Sequence, residues 1–207
     1  VIDWFLANWT EIFGFVTGAA CVLLAAVRNI WTFPLGLLNN LVFIVLFVDS
    51  ALYADAGLQL VYIVLGVTGW IGWARGRAVD DRPAARHMPR RAIPVVVIAT
   101  LAATAVLTVV LTVFTDSTTE VADAATTSVS LAAQFMLNLR WIENWFAWIA
   151  VDIAYIALFG VKGLWITAAL YVLFVAICVL GYRTWRRAPR EERNGDADPA
   201  PTARVSA

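Results

Sequence analysis

The chain has 207 residues, of which 61% are hydrophobic and 14% charged, with formal net charge zero and a mean hydropathy of +0.77. A soluble domain is about a quarter charged, so this balance excludes an ordinary water-soluble globule and points to lipid as the solvent. One His and two Cys, with Cys21 and Cys178 each inside an apolar run, are a poor metal-ligand set and a poor disulfide pair; no metal and no cofactor are expected.

The N-terminal stretch carries Asp3 and Glu11 and no Lys or Arg before Arg28, the wrong charge for the start of a secretory signal peptide. A helix needs about 20 mostly apolar residues to cross the hydrocarbon core. Seven stretches qualify in chain order: Ile12–Val27, Trp31–Val48, Ala56–Trp73, Ile93–Phe114, Ala124–Leu139, Ile142–Phe159 and Leu164–Tyr182. The breaks are short except at Ala74–Ala92 and Thr115–Asp123. Beyond Trp185 the polar sequence RRAPREERNGDADPAPTARVSA reads as a disordered tail.

Charge assigns the ends. Arg28, Arg75, Arg77, Arg82, Arg86, Arg90, Arg91, Arg140, Arg183, Arg186, Arg187, Arg190 and Arg193 gather at alternate span ends. Asp3, Glu11, Asp49, Asp55, Asp116, Glu120 and Asp123 gather at the others, with Lys162 the one cation there. By the positive-inside rule the N-terminus is expected outside and the C-terminus in the cytoplasm, in a multi-pass membrane protein.

Shifting the chain by 112 residues lays its second part on its first. Arg28 falls on Arg140, Phe43 on Tyr155, Phe47 on Phe159, Leu52-Tyr53 on Leu164-Trp165, Leu58 on Leu170, Gly69-Trp70 on Gly181-Tyr182 and Trp73 on Trp185. The repeat unit is three helices, with Ile93–Phe114 between the copies. An odd linker makes the copies parallel, a known transporter plan. The expected architecture is therefore an all-α integral membrane protein of seven transmembrane helices, two parallel three-helix bundles joined by a linker helix (3+1+3). Its expected parts are a first bundle at 1–74, a basic cytoplasmic loop at 75–92, the linker at 93–114, a second bundle at 115–185 and the tail at 186–207.

Polar side chains in hydrocarbon cost a few kcal/mol and usually face a cavity or partner. At mid-depth these are Asn39, Asn40, Gln59, Tyr62, Gln134, Asn138, Asp152, Tyr155 and Tyr171, and two pairs are repeat mates: Asn40 with Asp152, and Gln59 with Tyr171. In ENWFAWIAVD, Asn144, Trp148 and Asp152 recur at i, i+4 and i+8, one stripe along a helix. An amide, a flat ring and a carboxylate suit a ligand with an aromatic or cationic ring and hydroxyls. Such amides also serve as interhelical hydrogen-bond donors and acceptors. Trp4, Trp31, Trp141 and Trp185, near span ends, read as members of the interfacial belt.

The segments WTEIFG (Trp9–Gly14), GLLNN (Gly36–Asn40), LYADAGLQLVY (Leu52–Tyr62), GWIGW (Gly69–Trp73) and ENWFAWIAVD (Glu143–Asp152) resemble the PnuC family of bacterial nicotinamide riboside transporters over nearly the whole span from Trp9 to Trp185. The resemblance implies a fold related to the SWEET sugar transporters, assembled as a homotrimer in a bacterial plasma membrane. It also implies facilitated diffusion of the unphosphorylated vitamin, which a cytoplasmic kinase then traps. Carried over motif by motif, it implies a substrate site of Asn144, Trp148, Gln59 and Asn40, then Asp152 and Trp145. Tyr155, Tyr171 and Tyr62 join them as mid-depth polar aromatics, and Trp9 and Glu11 are expected at an entrance or gate. Relatives on this scaffold carry riboflavin or thiamine, and those vitamins are the alternative cargo.

A rhodopsin-like photoreceptor needs a Lys in the last span, and Lys162 lies before it. An enzyme would want a catalytic pair or a metal cluster, and Asp152 has no second mid-membrane carboxylate or His. A purely structural or sensory protein would not explain polar repeat mates at mid-depth. The partners expected are a small vitamin and the bilayer, not nucleic acid.

Overall fold

The computed structural model describes residues 2–49, 53–76, 85–114, 120–161, 163 and 165–195; the side chains of 2–12, 15, 53, 54, 114, 166 and 188–195 fall outside that description. The fold is all-α: α1 (Ile2–Ala26), α2 (Thr32–Asp49), α3 (Tyr53–Gly76), α4 (Ala92–Phe114), α5 (Glu120–Asn138), α6 (Asn144–Val161) and α7 (Trp165–Gly195). Pro34 and Pro94 sit in the first turns of α2 and α4, where a missing N–H costs nothing. α1 starts earlier than hydropathy suggests. α7 runs on to Gly195, so 186–195 extend a helix where a disordered tail was expected; Arg, Ala and Glu dominate RRAPREE and are strong helix formers. Residues 196–207 lie outside the described residues.

Six helices close a ring. α1 packs on α2, α2 on α3, α3 on α5, α5 on α6, α6 on α7, and α7 returns to α1, while α4 packs against α5 alone. Moving every contact of the first three helices forward by one repeat reproduces the contacts of the last three, so the ring has a pseudo-two-fold axis along its length. α4 lies outside it, with none of its apolar span buried, as befits a connector bathed in lipid.

Among the described residues five helices are long and apolar enough to cross a bilayer, and α1 contributes the shorter apolar stretch Val16–Ala26. α5 is more polar because α3, α4 and α6 cover it. Two of its hydroxyls turn back onto its own backbone: Thr126 Oγ1 donates to the Ala122 carbonyl at 2.9 Å and Ser130 Oγ to the Thr126 carbonyl at 2.8 Å, which satisfies these two without water.

The 112-residue register reappears atom by atom at the arginine-rich end. α1 and α5 each end in a Schellman motif. Asn29 N–H reaches Leu24 O at 2.8 Å and Arg28 N–H reaches Ala25 O at 3.0 Å; in the second copy Trp141 reaches Met136 at 2.9 Å and Arg140 reaches Leu137 at 2.9 Å. The residue in the left-handed conformation is an arginine both times, Arg28 at φ 58° and Arg140 at φ 60°. A side chain there costs about 1–2 kcal/mol relative to the right-handed form, offset by the carbonyls it lets the chain satisfy and by placing a cation against a helix C-terminus.

The indole of Trp73 donates from Nε1 to the Leu137 carbonyl at 3.3 Å, and its mate Trp185 donates to the Ala25 carbonyl at 3.0 Å. Each bond crosses from one copy to the other. Both tryptophans are fully buried, and their rings meet at 5.9 Å between centroids. Edge-to-face partners complete the cluster: Phe33 on Trp73 at 5.1 Å and Trp145 on Trp185 at 5.5 Å, again repeat mates. The sequence reading of Trp185 as an interfacial-belt residue is thereby corrected: at its helix position it faces the axis, not the lipid. Glycines make the approach possible, since a Cβ at Gly181 would stand 2.5 Å from Trp145 Cζ2, and one at Gly69 would strike Asn138 and Phe33.

Beyond the ring, residues 86–88 clasp the α5–α6 turn. Arg86 N–H donates to Arg140 O and Arg86 O accepts from Ile142 N–H, both at 3.0 Å. The Glu143 carboxylate takes His87 Nδ1 at 2.9 Å and Met88 N–H at 2.8 Å. Gly181→Val should push Trp145 off Trp185 and destabilise the detergent-solubilised protein by about 1–3 kcal/mol, read as a lowered melting temperature.

Candidate functional site

All six ring helices, and not α4, line a cavity of about 460 Å³ on the axis. Its floor at the arginine-rich end is made by Ala25, Phe33, Leu137 and Trp145, directly over the Trp73–Trp185 pair that these residues bond or touch. Above the floor stand amides from Asn39, Asn40, Gln59 and Gln134, the hydroxyl residues Thr32, Tyr62 and Tyr171, and the ring of Trp148. Among the described residues no Asp, Glu, Lys, Arg or His lines it.

The cavity is off-centre. Most of its wall comes from the first copy, where Gly18, Gly36 and Gly66 leave room; their mates are Ser130, Trp148 and Cys178. In the second copy the space equivalent to Phe43, Gln59 and Tyr62 is filled by an aromatic stack. Tyr171 lies 4.9 Å from Tyr155, 5.5 Å from Phe159 and 5.8 Å from Phe174 between centroids. Local bonds hold the first-copy wall: Thr32 Oγ1 donates to the Cys21 carbonyl at 2.9 Å, and Cys21 Sγ donates back to the Thr32 carbonyl at 3.2 Å. A Cβ at Gly36 would meet Cys21 Sγ at 3.3 Å, so glycine lets α1 and α2 approach there.

Of the residues expected at the site, Trp148, Gln59, Asn40, Trp145, Tyr171 and Tyr62 line this cavity, and Asn144, Asp152 and Tyr155 do not. Asn144 is fully buried on the first turn of α6. Its Nδ2 donates to the Trp141 carbonyl at 2.6 Å, and its Oδ1 has no hydrogen-bond partner. Asp152 is buried and faces α7, where Cys178 Sγ approaches at 3.6 Å. Helix geometry explains the split. Each i+4 step turns about 40°, so a stripe from i to i+8 swings through about 80°, and only its middle member, Trp148, points at the axis. The side chains of Trp9 and Glu11 lie outside the described residues.

The cavity also takes residues that motif reasoning left aside, namely Thr32, Gly36, Asn39 and Phe43. With Asn40 they fall at i, i+4, i+7, i+8 and i+11, one face of α2, a signal present in the sequence. Two polar atoms of residues on the cavity wall, Asn39 Oδ1 and Trp145 Nε1, are buried and have no hydrogen-bond partner among the described residues. Asn138, expected at mid-depth, serves packing instead. Its Nδ2 donates to the Leu65 carbonyl at 2.7 Å, and its Oδ1 accepts from Gln134 Nε2 at 3.1 Å.

Residues 8–187 match the family model described as nicotinamide mononucleotide transporter. The chain belongs to that family. This transporter is 24% identical over 209 residues to the nicotinamide riboside transporter PnuC of Escherichia coli (strain K12), covering 89% of this chain and 87% of that protein. It is 25% identical over 189 residues to the riboflavin/roseoflavin transporter RibM of Streptomyces davaonensis, covering 89% and 88%. A crystal structure of the vitamin B3 transporter PnuC superposes with a TM-score of 0.71 at 24% identity, over 92% of this chain and 87% of that one, and shares its fold. These relatives are transporters and not enzymes. Gly36→Phe should fill the transporter's cavity and lower uptake in liposomes, per inserted protein, at least about tenfold, as expected when a side chain occupies a ligand's volume, with a lowered melting temperature because its Cβ presses on Cys21 Sγ.

Proposed function

We propose that the protein carries nicotinamide riboside across a bacterial plasma membrane by facilitated diffusion, the two bundles rocking about the axial cavity. The observation that carries this reading is the chemistry of the cavity wall: amides, hydroxyls and flat aromatic faces, with no charged side chain among the described residues. A pyridinium can lie on an aromatic face, and a carboxamide and a ribose can hydrogen-bond to amides and hydroxyls. A phosphate has no cation to meet there, and burying one unpaired costs several kcal/mol. The unphosphorylated nucleoside therefore fits better than the mononucleotide in the family's name. Riboflavin is the second reading, supported by the Streptomyces relative at similar identity.

Within this reading Trp148 supplies stacking surface above the floor that Trp145 helps to close, and Asn40, Asn39, Gln59, Tyr62 and Tyr171 supply hydrogen bonds. Asn144 lies directly behind Trp145 in the chain and positions it; Asp152 and Tyr155 brace α6 against α7 rather than touch the cargo. The N-terminus faces outward and the arginine-rich end faces the cytoplasm, where a kinase traps the vitamin by phosphorylation. The assembly is a homotrimer, and Trp9 and Glu11 stand near the outer entrance.

Calorimetric titration of the purified protein against nicotinamide riboside, its mononucleotide, riboflavin and thiamine tests the cargo. Nicotinamide riboside should bind, with the mononucleotide at least about a hundredfold weaker, given the cost of an unpaired phosphate; tight binding of riboflavin alone would transfer the assignment to that vitamin. Flux into liposomes should need neither a proton nor a sodium gradient. Trp148→Ala should weaken binding about tenfold, the worth of one stacked face, in a protein that still inserts and melts normally.

A further inference from the structure

A groove of about 350 Å³ lies outside the ring, between the connector α4 and α5. Ala99 and Ala103 of α4 and Ala132 of α5 leave the room, and Val95, Leu131 and Phe135 wall it. Thr100 also lines it, but its Oγ1 donates to the Val96 carbonyl at 2.8 Å, so that hydroxyl is satisfied within α4. Apart from the buried Ser128 the rest of the wall is apolar. The groove opens toward lipid: among the described residues α4 packs on α5 alone, and Val95 and Phe135 are 65% and 46% exposed. Water is a poor guest, because it needs polar partners that this wall lacks. An empty groove would forfeit the close packing that holds membrane helices together.

Length and charge select the guest. From Val95 to Ala103 the groove follows about 12 Å of helix rise, within the roughly 15 Å that one leaflet contributes to the hydrocarbon core. A membrane helix of a second copy would ask for about 30 Å. Arg90 and Arg91, both exposed, stand about one turn before Val95. A second copy lying parallel would bring its own arginine-rich end to that level, and cation would meet cation. We propose that the α4–α5 groove holds one acyl chain of an anionic phospholipid from the leaflet at the arginine-rich end, with its phosphate met by Arg90 and Arg91. A guanidinium matches a phosphate in shape and charge, and basic sites beside membrane helices are where anionic headgroups settle. The chain supplies the packing that the alanines leave undone and so fixes the connector to the second bundle.

Native mass spectrometry of the full chain tests this, after lipid is stripped in a neutral detergent and dioleoyl phosphatidylglycerol or dioleoyl phosphatidylcholine is titrated back. One phosphatidylglycerol per protomer should bind about 25-fold more tightly than phosphatidylcholine, at about fivefold for each arginine beside an anionic headgroup. Arg90→Gln together with Arg91→Gln should bring the two lipids to the same affinity. Ala99→Phe, which fills the groove, should weaken both alike by about tenfold or more, since the chain loses its apolar seat. A phosphatidylglycerol with a diazirine in its acyl chain should label 95–103 and 128–135 in the unaltered chain and lose that labelling in Ala99→Phe. Equal binding of the two lipids by the unaltered chain would overturn the proposal. So would selectivity that survives the paired Gln change, or groove labelling that Ala99→Phe leaves intact. If Ala99→Phe splits a multimer into single chains with lipid binding unchanged, the groove is an interface between copies and the proposal falls. Because Arg90 and Arg91 are exposed, the paired change tests the headgroup site whether or not Ala99→Phe folds.

Discussion

Two crossed hydrogen bonds, from Trp73 to the Leu137 carbonyl and from Trp185 to the Ala25 carbonyl, close this ring of helices on itself. Lipid tails are as apolar as leucine, so membrane helices associate through close packing and hydrogen bonds rather than through apolar burial. The acceptors are carbonyls that the helices of their own copies have already placed. Each belongs to a Schellman cap whose left-handed residue is an arginine. The caps end α1 and α5 where the next helix must turn back, and the same turns carry the cationic side chains that the membrane surface favours. Cap, charge and inter-copy bond are thus one local structure, made twice.

The cavity is what remains when two similar halves meet with dissimilar side chains. Were the copies identical, a symmetric space would lie on the axis and present each group twice. Instead Gly36 stands where the second copy has Trp148, and Gln59 where it has Tyr171. The second copy supplies the rings and fills its own share of space with the Tyr155–Phe159–Tyr171–Phe174 stack. The first copy supplies glycines, amides and room. One asymmetric guest is the natural complement of such a wall, and a small, flat, polar vitamin is of that kind.

Much of this was legible beforehand. The repeat was visible because its conserved spacing includes Arg28/Arg140, Gly69/Gly181 and Trp73/Trp185, residues whose backbone angle, close approach or indole nitrogen the fold requires. Six expected site residues reached the cavity wall because mid-membrane polar groups have few places to go. Asn144 and Asp152 are off the wall because a stripe at i+4 spacing drifts around the helix: Asn144 bonds back to the Trp141 carbonyl in the preceding turn, and Asp152 meets Cys178 of α7. Trp185 resembled a belt residue because distance from the span centre is readable in a sequence, whereas the direction of a ring is not. The helical residues beyond Arg187 were hidden because a run of Arg, Glu and Ala suits both a solvated helix and a disordered tail.

By itself the sequence determined the solvent, the number of helices, the parallel repeat and the family, since each depends on composition or on spacing along the chain. Only the tertiary structure decided that the cavity lies toward the first copy, and that Asn138 ties helices while Asn39 lines the cavity. Those are questions of which side chain meets which across the ring. Two asparagines in similar apolar helices are indistinguishable until the facing helix offers one of them a carbonyl and the other an open space.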